Sequence, residues 1–153
     1  MQVLRLALCA LVVLLSACAT APPDSSAAPT SAPSASVPSA SVPAEHRALV
    51  DRFVAAINAG DAGRVAETFT RDARFDSVGR IYEGRTQIMD RFLGPEVIEA
   101  GGRYALRGVR PGAAGRVVAE YDFATGHGGS EHFTYDCSVE DTRFADCVGR
   151  YVG

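Results

Sequence analysis

The hydrophobic pattern changes period repeatedly along the chain. Leu6 to Leu15 is an unbroken apolar run of ten residues. Ala19 to Pro43 then holds almost only Ala, Ser, Pro, Thr and Val. From there Leu49, Val50, Phe53, Val54 and Ile57 recur at helical spacing, which predicts an amphipathic helix over Ala44–Ala59. Gly60-Asp61 stops that helix and caps a second, shorter one marked by Val65, Ala66 and Phe69. Ala73–Ser77 and Arg80–Glu83 flank Val78-Gly79 as a hairpin. A third helix over Thr86–Leu93 ends at Gly94-Pro95. Alternation takes over after that. Four strands are expected over Arg103–Arg110, Arg116–Ala124, Glu131–Ser138 and Phe144–Val152. Their short links imply an antiparallel meander in an α+β domain.

The first apolar run would make about 15 Å of helix, roughly half a bilayer core, so it reads as a targeting segment. It ends in Leu15-Ser16-Ala17-Cys18, the pattern of a lipobox, which predicts a signal peptide over residues 1–17 and lipid on Cys18. Ala17-Cys18-Ala19 also fits ordinary secretory cleavage after Ala19, which would release a soluble protein. Several acyl chains on Cys18 would give the stable anchoring that one cannot. Similarity to Gram-negative lipoproteins at Ala19 implies sorting to the outer membrane, facing the periplasm.

Residues 18–44 read as the lipidation cysteine and a linker, with Pro33-Ser34-Ala35-Ser36-Val37 repeated as Pro38-Ser39-Ala40-Ser41-Val42. The 25 residues from Ala19 to Pro43 would reach roughly 25–30 Å as a coil and about 75 Å as polyproline helix. Residues 45–153 suffice for one core.

Four cysteines are present. Cys9 leaves with the signal peptide and Cys18 takes lipid, so Cys137 and Cys147 remain as a pair in an oxidising compartment. A disulfide is the expectation; free thiols or half of a metal site are the alternatives. All 15 Lys-plus-Arg side chains are arginine, against 18 Asp plus Glu, a balance that argues against nucleic-acid binding.

Three stretches carry a resemblance. They are Val50-Asp51-Arg52-Phe53-Val54-Ala55-Ala56-Ile57-Asn58-Ala59-Gly60-Asp61, Phe69-Thr70-Arg71-Asp72-Ala73-Arg74-Phe75, and the turn Tyr82-Glu83-Gly84-Arg85. In this order they resemble the nuclear transport factor 2-like (NTF2-like) superfamily, within it the polyketide-cyclase-like (SnoaL-like) group. The resemblance covers Glu45 to about Phe92. It implies a cone-shaped, curved antiparallel sheet of about six strands packed on three helices, an internal pocket and a homodimer.

The resemblance also implies where an enzyme of this kind would keep a carboxylate base: near the end of the first strand, where Asp76 stands. If Phe75 points inward, Asp76 points out and Ser77 faces in, which makes Asp76 a turn or surface residue instead. Pairing Cys137 with Cys147 sets Tyr135 opposite Gly149 and Phe133 opposite Tyr151. Val117, Ala119, Tyr121 and Phe123 then share the inward face. Ala119, Gly149 and Ala105 are small, so space is left between Tyr121 and Tyr135, with Arg107 in reach. Tyr121, Tyr135 and Arg107 are thus the expected ligand-binding residues, suited to an acidic or carbonyl-bearing molecule. The competing view makes both tyrosines core residues and Arg107 solvated.

His127 and His132 lack a supporting ligand for metal, and Asp136, Glu140, Asp141 and Asp146 match no calcium loop. No phosphate loop, nucleophile elbow or zinc motif occurs. Neither a metal nor a cofactor is expected. The sequence favours an envelope lipoprotein whose domain binds a small ligand or partner protein without catalysis. The alternative is an isomerase, cyclase or dehydratase working through Asp76 and Tyr121 or Tyr135. A third reading is assembly through an apolar patch of Val118, Thr134 and Val148 on the outer sheet face.

Overall fold

A computed structural model describes residues 41–153. The signal peptide, Cys18 and most of the linker lie outside the described residues. Helix α1 spans Ala44–Ala59, the span its periodicity predicts, and buries Leu49, Val50, Phe53, Ala56 and Ile57 on one face. Gly60 ends it in the left-handed conformation at φ 69°, its N–H returning to Ile57 O at 2.9 Å. Asp61 caps α2 (Ala62–Glu67), accepting from Arg64 N at 3.0 Å.

Strand β1 spans Phe69–Ser77 and β2 Arg80–Glu83. β1 is longer than the alternation implies. Phe69 belongs to it rather than to α2, because it pairs with Phe144 on the last strand. β3 (Arg103–Pro111), β4 (Val117–Ala124), β5 (Ser130–Glu140) and β6 (Arg143–Tyr151) form the expected antiparallel meander. The six strands run in the order β2-β1-β6-β5-β4-β3. The sheet is mixed rather than wholly antiparallel, since β1 and β6 pair in parallel, with Ser77 opposite Gly149. The result is a cone-shaped α+β domain whose inner face packs on α1.

The third helix differs most from its sequence pattern. α3 covers Arg85–Ile88 and continues as a π-helix over Met89–Ile98, straight through Gly94-Pro95. An α-helical Pro95 would clash with the carbonyl four residues back; the wider π turn relieves that conflict. The turn is tight at Gly94, where an added Cβ would sit 2.5 Å from Met89 O, so only glycine fits. The continued helix carries Phe92, Leu93 and Val97 into the core. Among the described residues no helix is long and apolar enough to cross a membrane.

β5 and β6 are pinned by a disulfide between Cys137 and Cys147, directly opposite each other and both buried. Closing a loop over a sequence separation of 10 limits the unfolded chain by about 2–3 kcal/mol. Cys137→Ala together with Cys147→Ala should therefore lower unfolding free energy by about that amount in denaturant titrations, and reduction of the wild type should do the same.

Candidate functional site

The register that joins Cys137 to Cys147 also sets Tyr135 opposite Gly149 and Phe133 opposite Tyr151, as the sequence implies. On β4 it brings Val117, Ala119, Tyr121 and Phe123 to the same face. Gly149 gives Tyr135 its place: a Cβ there would meet the ring at 3.0 Å.

A cavity of about 220 Å³ opens at this end of the sheet. Its floor is aromatic, with Phe92, Tyr104, Phe123, Phe133 and Tyr135; Ser77, Val78, Arg80, Glu96, Glu131, Arg150 and Tyr151 also line it. Tyr135 therefore stands where the sequence places it. Tyr121 does not line the cavity: it is 1% exposed, packed at 5.3–5.6 Å against Tyr104, Phe133 and Tyr135. Arg107 is exposed and paired with Asp122 at 2.7 Å.

The cause lies in β3. Tyr104 and Leu106, not Ala105 and Arg107, face Phe123 and Tyr121 on the inner side. A bulge between Leu106 and Gly108 then shifts the register. Ala105 is exposed, and Tyr104 occupies the inward space instead. Tyr104 is the cavity residue that sequence reasoning missed. One signal for it was available, in that it immediately follows Gly101-Gly102-Arg103 at the start of an alternating strand.

Tyr104 and Tyr135, 4% and 6% exposed, meet hydroxyl to hydroxyl at 2.8 Å. Burial pushes both phenols, and that of Tyr121, well above the usual tyrosine range. All three keep their protons at physiological pH and are not bases. Two hydroxyls sharing one hydrogen bond keep one further O–H proton that can be donated to an acceptor in the cavity.

At the mouth the charges are matched. Arg80 grips Glu96 through two bonds of 2.7 Å and lies over the rings of Tyr82 and Phe92. Arg150 donates to Asp76 at 2.8 Å. Glu131, exposed at the rim, accepts from the Tyr151 hydroxyl at 3.4 Å.

Asp76 itself is 9% exposed but does not line the cavity. It sits on the outer face, opposite Ile81 and Val148, while Phe75 and Ser77 turn inward. Its carboxylate accepts from Arg150 and, at 2.7 Å, from Gly79 N in the β1–β2 turn. Arg150 first, then that N–H, hold its pKa below the usual carboxylate value. A base for a neutral carbon acid would need the opposite shift.

The rest of the outer face is ionic. Arg116 bridges Asp136 and Asp146, Arg74 joins Asp146, and His132 lies between Glu120 and Asp122. Val118 is buried, so the patch of Val118, Thr134 and Val148 is not an open apolar surface. His127 is on an exposed turn. Among the described residues no cluster of His, Cys, Asp and Glu could hold a metal.

A larger concavity, about 540 Å³, lies between α1, α2 and the β5–β6 turn. There Arg52 and Arg143 donate to the carbonyls of Thr142 and Glu67, and Arg64 pairs with Asp61. Those guanidiniums tie the turn to the helices, and the groove lacks an aromatic floor. The aromatic floor and the paired hydroxyls belong to the smaller cavity.

The Asp76 pairing has a pH signature. Its folded pKa is depressed, so its stabilisation is complete above the unfolded value of 3.8 and fades as pH falls through the folded value. Arg150 is half exposed, which keeps the effect modest. Asp76→Asn should be less stable than wild type near neutral pH, with the gap closing below the unfolded value, as read from melts across pH.

No protein-family model matches the sequence, and no curated protein does. Solved structures do. Bal32a, from a soil-derived mobile gene cassette, aligns at TM-score 0.62 and 23% identity over 70% of this chain and 88% of that one. An NTF2-like protein of unknown function from Mesorhizobium loti aligns at 0.61 and 16%, over 71% and 92%. The epoxide hydrolase/cyclase-like enzyme SalBIII, with a role in pyran ring formation in salinomycin, aligns at 0.62 and 15%, over 71% and 91%. At these identities the likeness speaks for architecture alone: the described domain has the nuclear transport factor 2-like fold.

Proposed function

We propose that this domain is a non-catalytic binding module for a small, neutral, acceptor-bearing ligand, carried by a lipid-anchored protein of the cell envelope. One observation carries the ligand class: the hydrogen-bonded Tyr104–Tyr135 hydroxyl pair, with one donor to spare, on an aromatic floor. That donor calls for a carbonyl, ether or similar acceptor. The acidic ligand considered from sequence is the poorer choice. Arg80 and Arg150 are engaged by Glu96 and Asp76, and Glu131 adds negative charge at the rim. A volume of about 220 Å³ lies below the roughly 300 Å³ at which drug-sized sites begin, so the ligand is small. The ionised, outward Asp76 supports binding over turnover. The anchoring half of the proposal rests on the lipobox and the 25-residue linker.

Cyclohexanone, followed by chemical-shift titration of the oxidised protein, tests the binding reading. Tyr104→Phe with Tyr135→Phe should weaken it roughly fivefold, the worth of one neutral hydrogen bond. Benzoate should not bind measurably, and Asp76→Asn should leave cyclohexanone affinity unchanged. Equal affinity in wild type and the Tyr104→Phe/Tyr135→Phe double variant would refute the donor, and turnover lost in Asp76→Asn would restore an enzyme. For the anchor, Cys18→Ala should move the protein from the membrane fraction to the soluble periplasm. Labelling by palmitate should vanish with it; soluble wild-type protein would mean ordinary secretion.

A further inference from the structure

Tyr104 lies on the sheet edge, second residue of a strand whose only strand neighbour among the described residues is β4. Its main chain nonetheless has a partner on the open side. Asn58, in the last turn of α1, donates from Nδ2 to Tyr104 O at 2.8 Å and accepts from Tyr104 N at Oδ1, also at 2.8 Å. This is the two-bond pattern of a ladder pair, supplied by one side-chain amide in place of a missing strand. Only one orientation of the amide satisfies both bonds, so the network itself assigns the oxygen and nitrogen.

Beside its pairing with Phe123 and the rings packed on its side chain, the clamp is what holds the Tyr104 main chain on the open edge. Gly101-Gly102 precede it, with Gly101 at φ 72°, and the bulge after Leu106 follows. α1 holds the residue twice. Asn58 takes its backbone, and Phe53, one turn and a half earlier on the helix, packs edge-on to its ring at 5.9 Å. The ring in turn delivers the hydroxyl to Tyr135.

We infer that Asn58 is a positioning residue for the cavity: by clamping the Tyr104 backbone it sets the phenol pair that the ligand meets. The inference rests on the binding reading above. Neither the helix pattern nor the turn after α1 requires an amide at this position. An aspartate in its place would still accept from the Tyr104 N–H but would oppose an oxygen to the Tyr104 carbonyl. A serine would be too short to reach both groups.

The test compares two probes on the full-length oxidised protein, cyclohexanone and cyclohexane, which share shape but not the acceptor. Asn58→Asp should weaken cyclohexanone binding roughly fivefold while cyclohexane affinity stays within about twofold. Asn58→Ser, the milder change, should act in the same direction if the aspartate variant does not fold. A purely structural asparagine would shift both probes together or neither, with only the melting temperature falling, and that result overturns the inference. The two readings fail separately. If wild type binds cyclohexanone and the Tyr104→Phe/Tyr135→Phe double variant weakens it, but the Asn58 variants do not discriminate the probes, the positioning role alone falls. If wild type binds neither probe, the cavity reading falls and takes this one with it.

Discussion

The pairing of β5 with β6 is the constraint on which the rest of the inner face depends. Cys137 opposite Cys147 leaves one register, and that register puts Tyr135 over Gly149, the one residue type that leaves the ring room. A slip by one residue would turn every side chain on β5 to the wrong face. With the register fixed, Tyr135 meets Tyr104, the β4 aromatics close the floor behind them, and Ser77 of the parallel neighbour β1 reaches the mouth through its place opposite Gly149. A covalent bond at one end of a hairpin thus decides the polarity of a cavity at the other.

The two faces of the sheet divide the labour. The inner face is aromatic and carries its polarity in hydroxyls, which burial keeps protonated. The outer face is a lattice of ion pairs around Arg116, Arg150 and His132, all at least partly exposed, so individually worth little but together a poor surface for apolar contact. Asp76 belongs to this second system despite its low exposure. One fold can host unrelated functions; the placement of this carboxylate on the outer rather than the inner face is what supports the binding reading proposed above.

Much of this is legible from residue spacing, and the failures have physical causes. α1, the first hairpin and the disulfide register follow from local period and from a pair of cysteines. The parallel β1–β6 pairing sets Arg74 beside Asp146, 72 residues on, which no local pattern encodes. Gly94-Pro95 reads as a stop because the α-helix is the default, and the π turn that admits it has no sequence period of its own. In β3 the alternation read from sequence is one residue out of phase, which puts Arg107 inside and Tyr104 outside. For Tyr121 the face is right but the depth is wrong: periodicity gives direction, and only packing tells whether the space beyond is filled. The Asn58 clamp is a contact between a side chain and a main chain 46 residues away, and nothing about an asparagine near a helix end announces it.

The most direct measurement is a crystal structure of the oxidised protein with cyclohexanone diffused in. The ketone should lie on the aromatic floor, its oxygen about 3 Å from the Tyr104 or Tyr135 hydroxyl, with the Arg80–Glu96 pair intact above it. A cavity closed by side chains, or a ketone found elsewhere with the two hydroxyls untouched, would contradict the assignment.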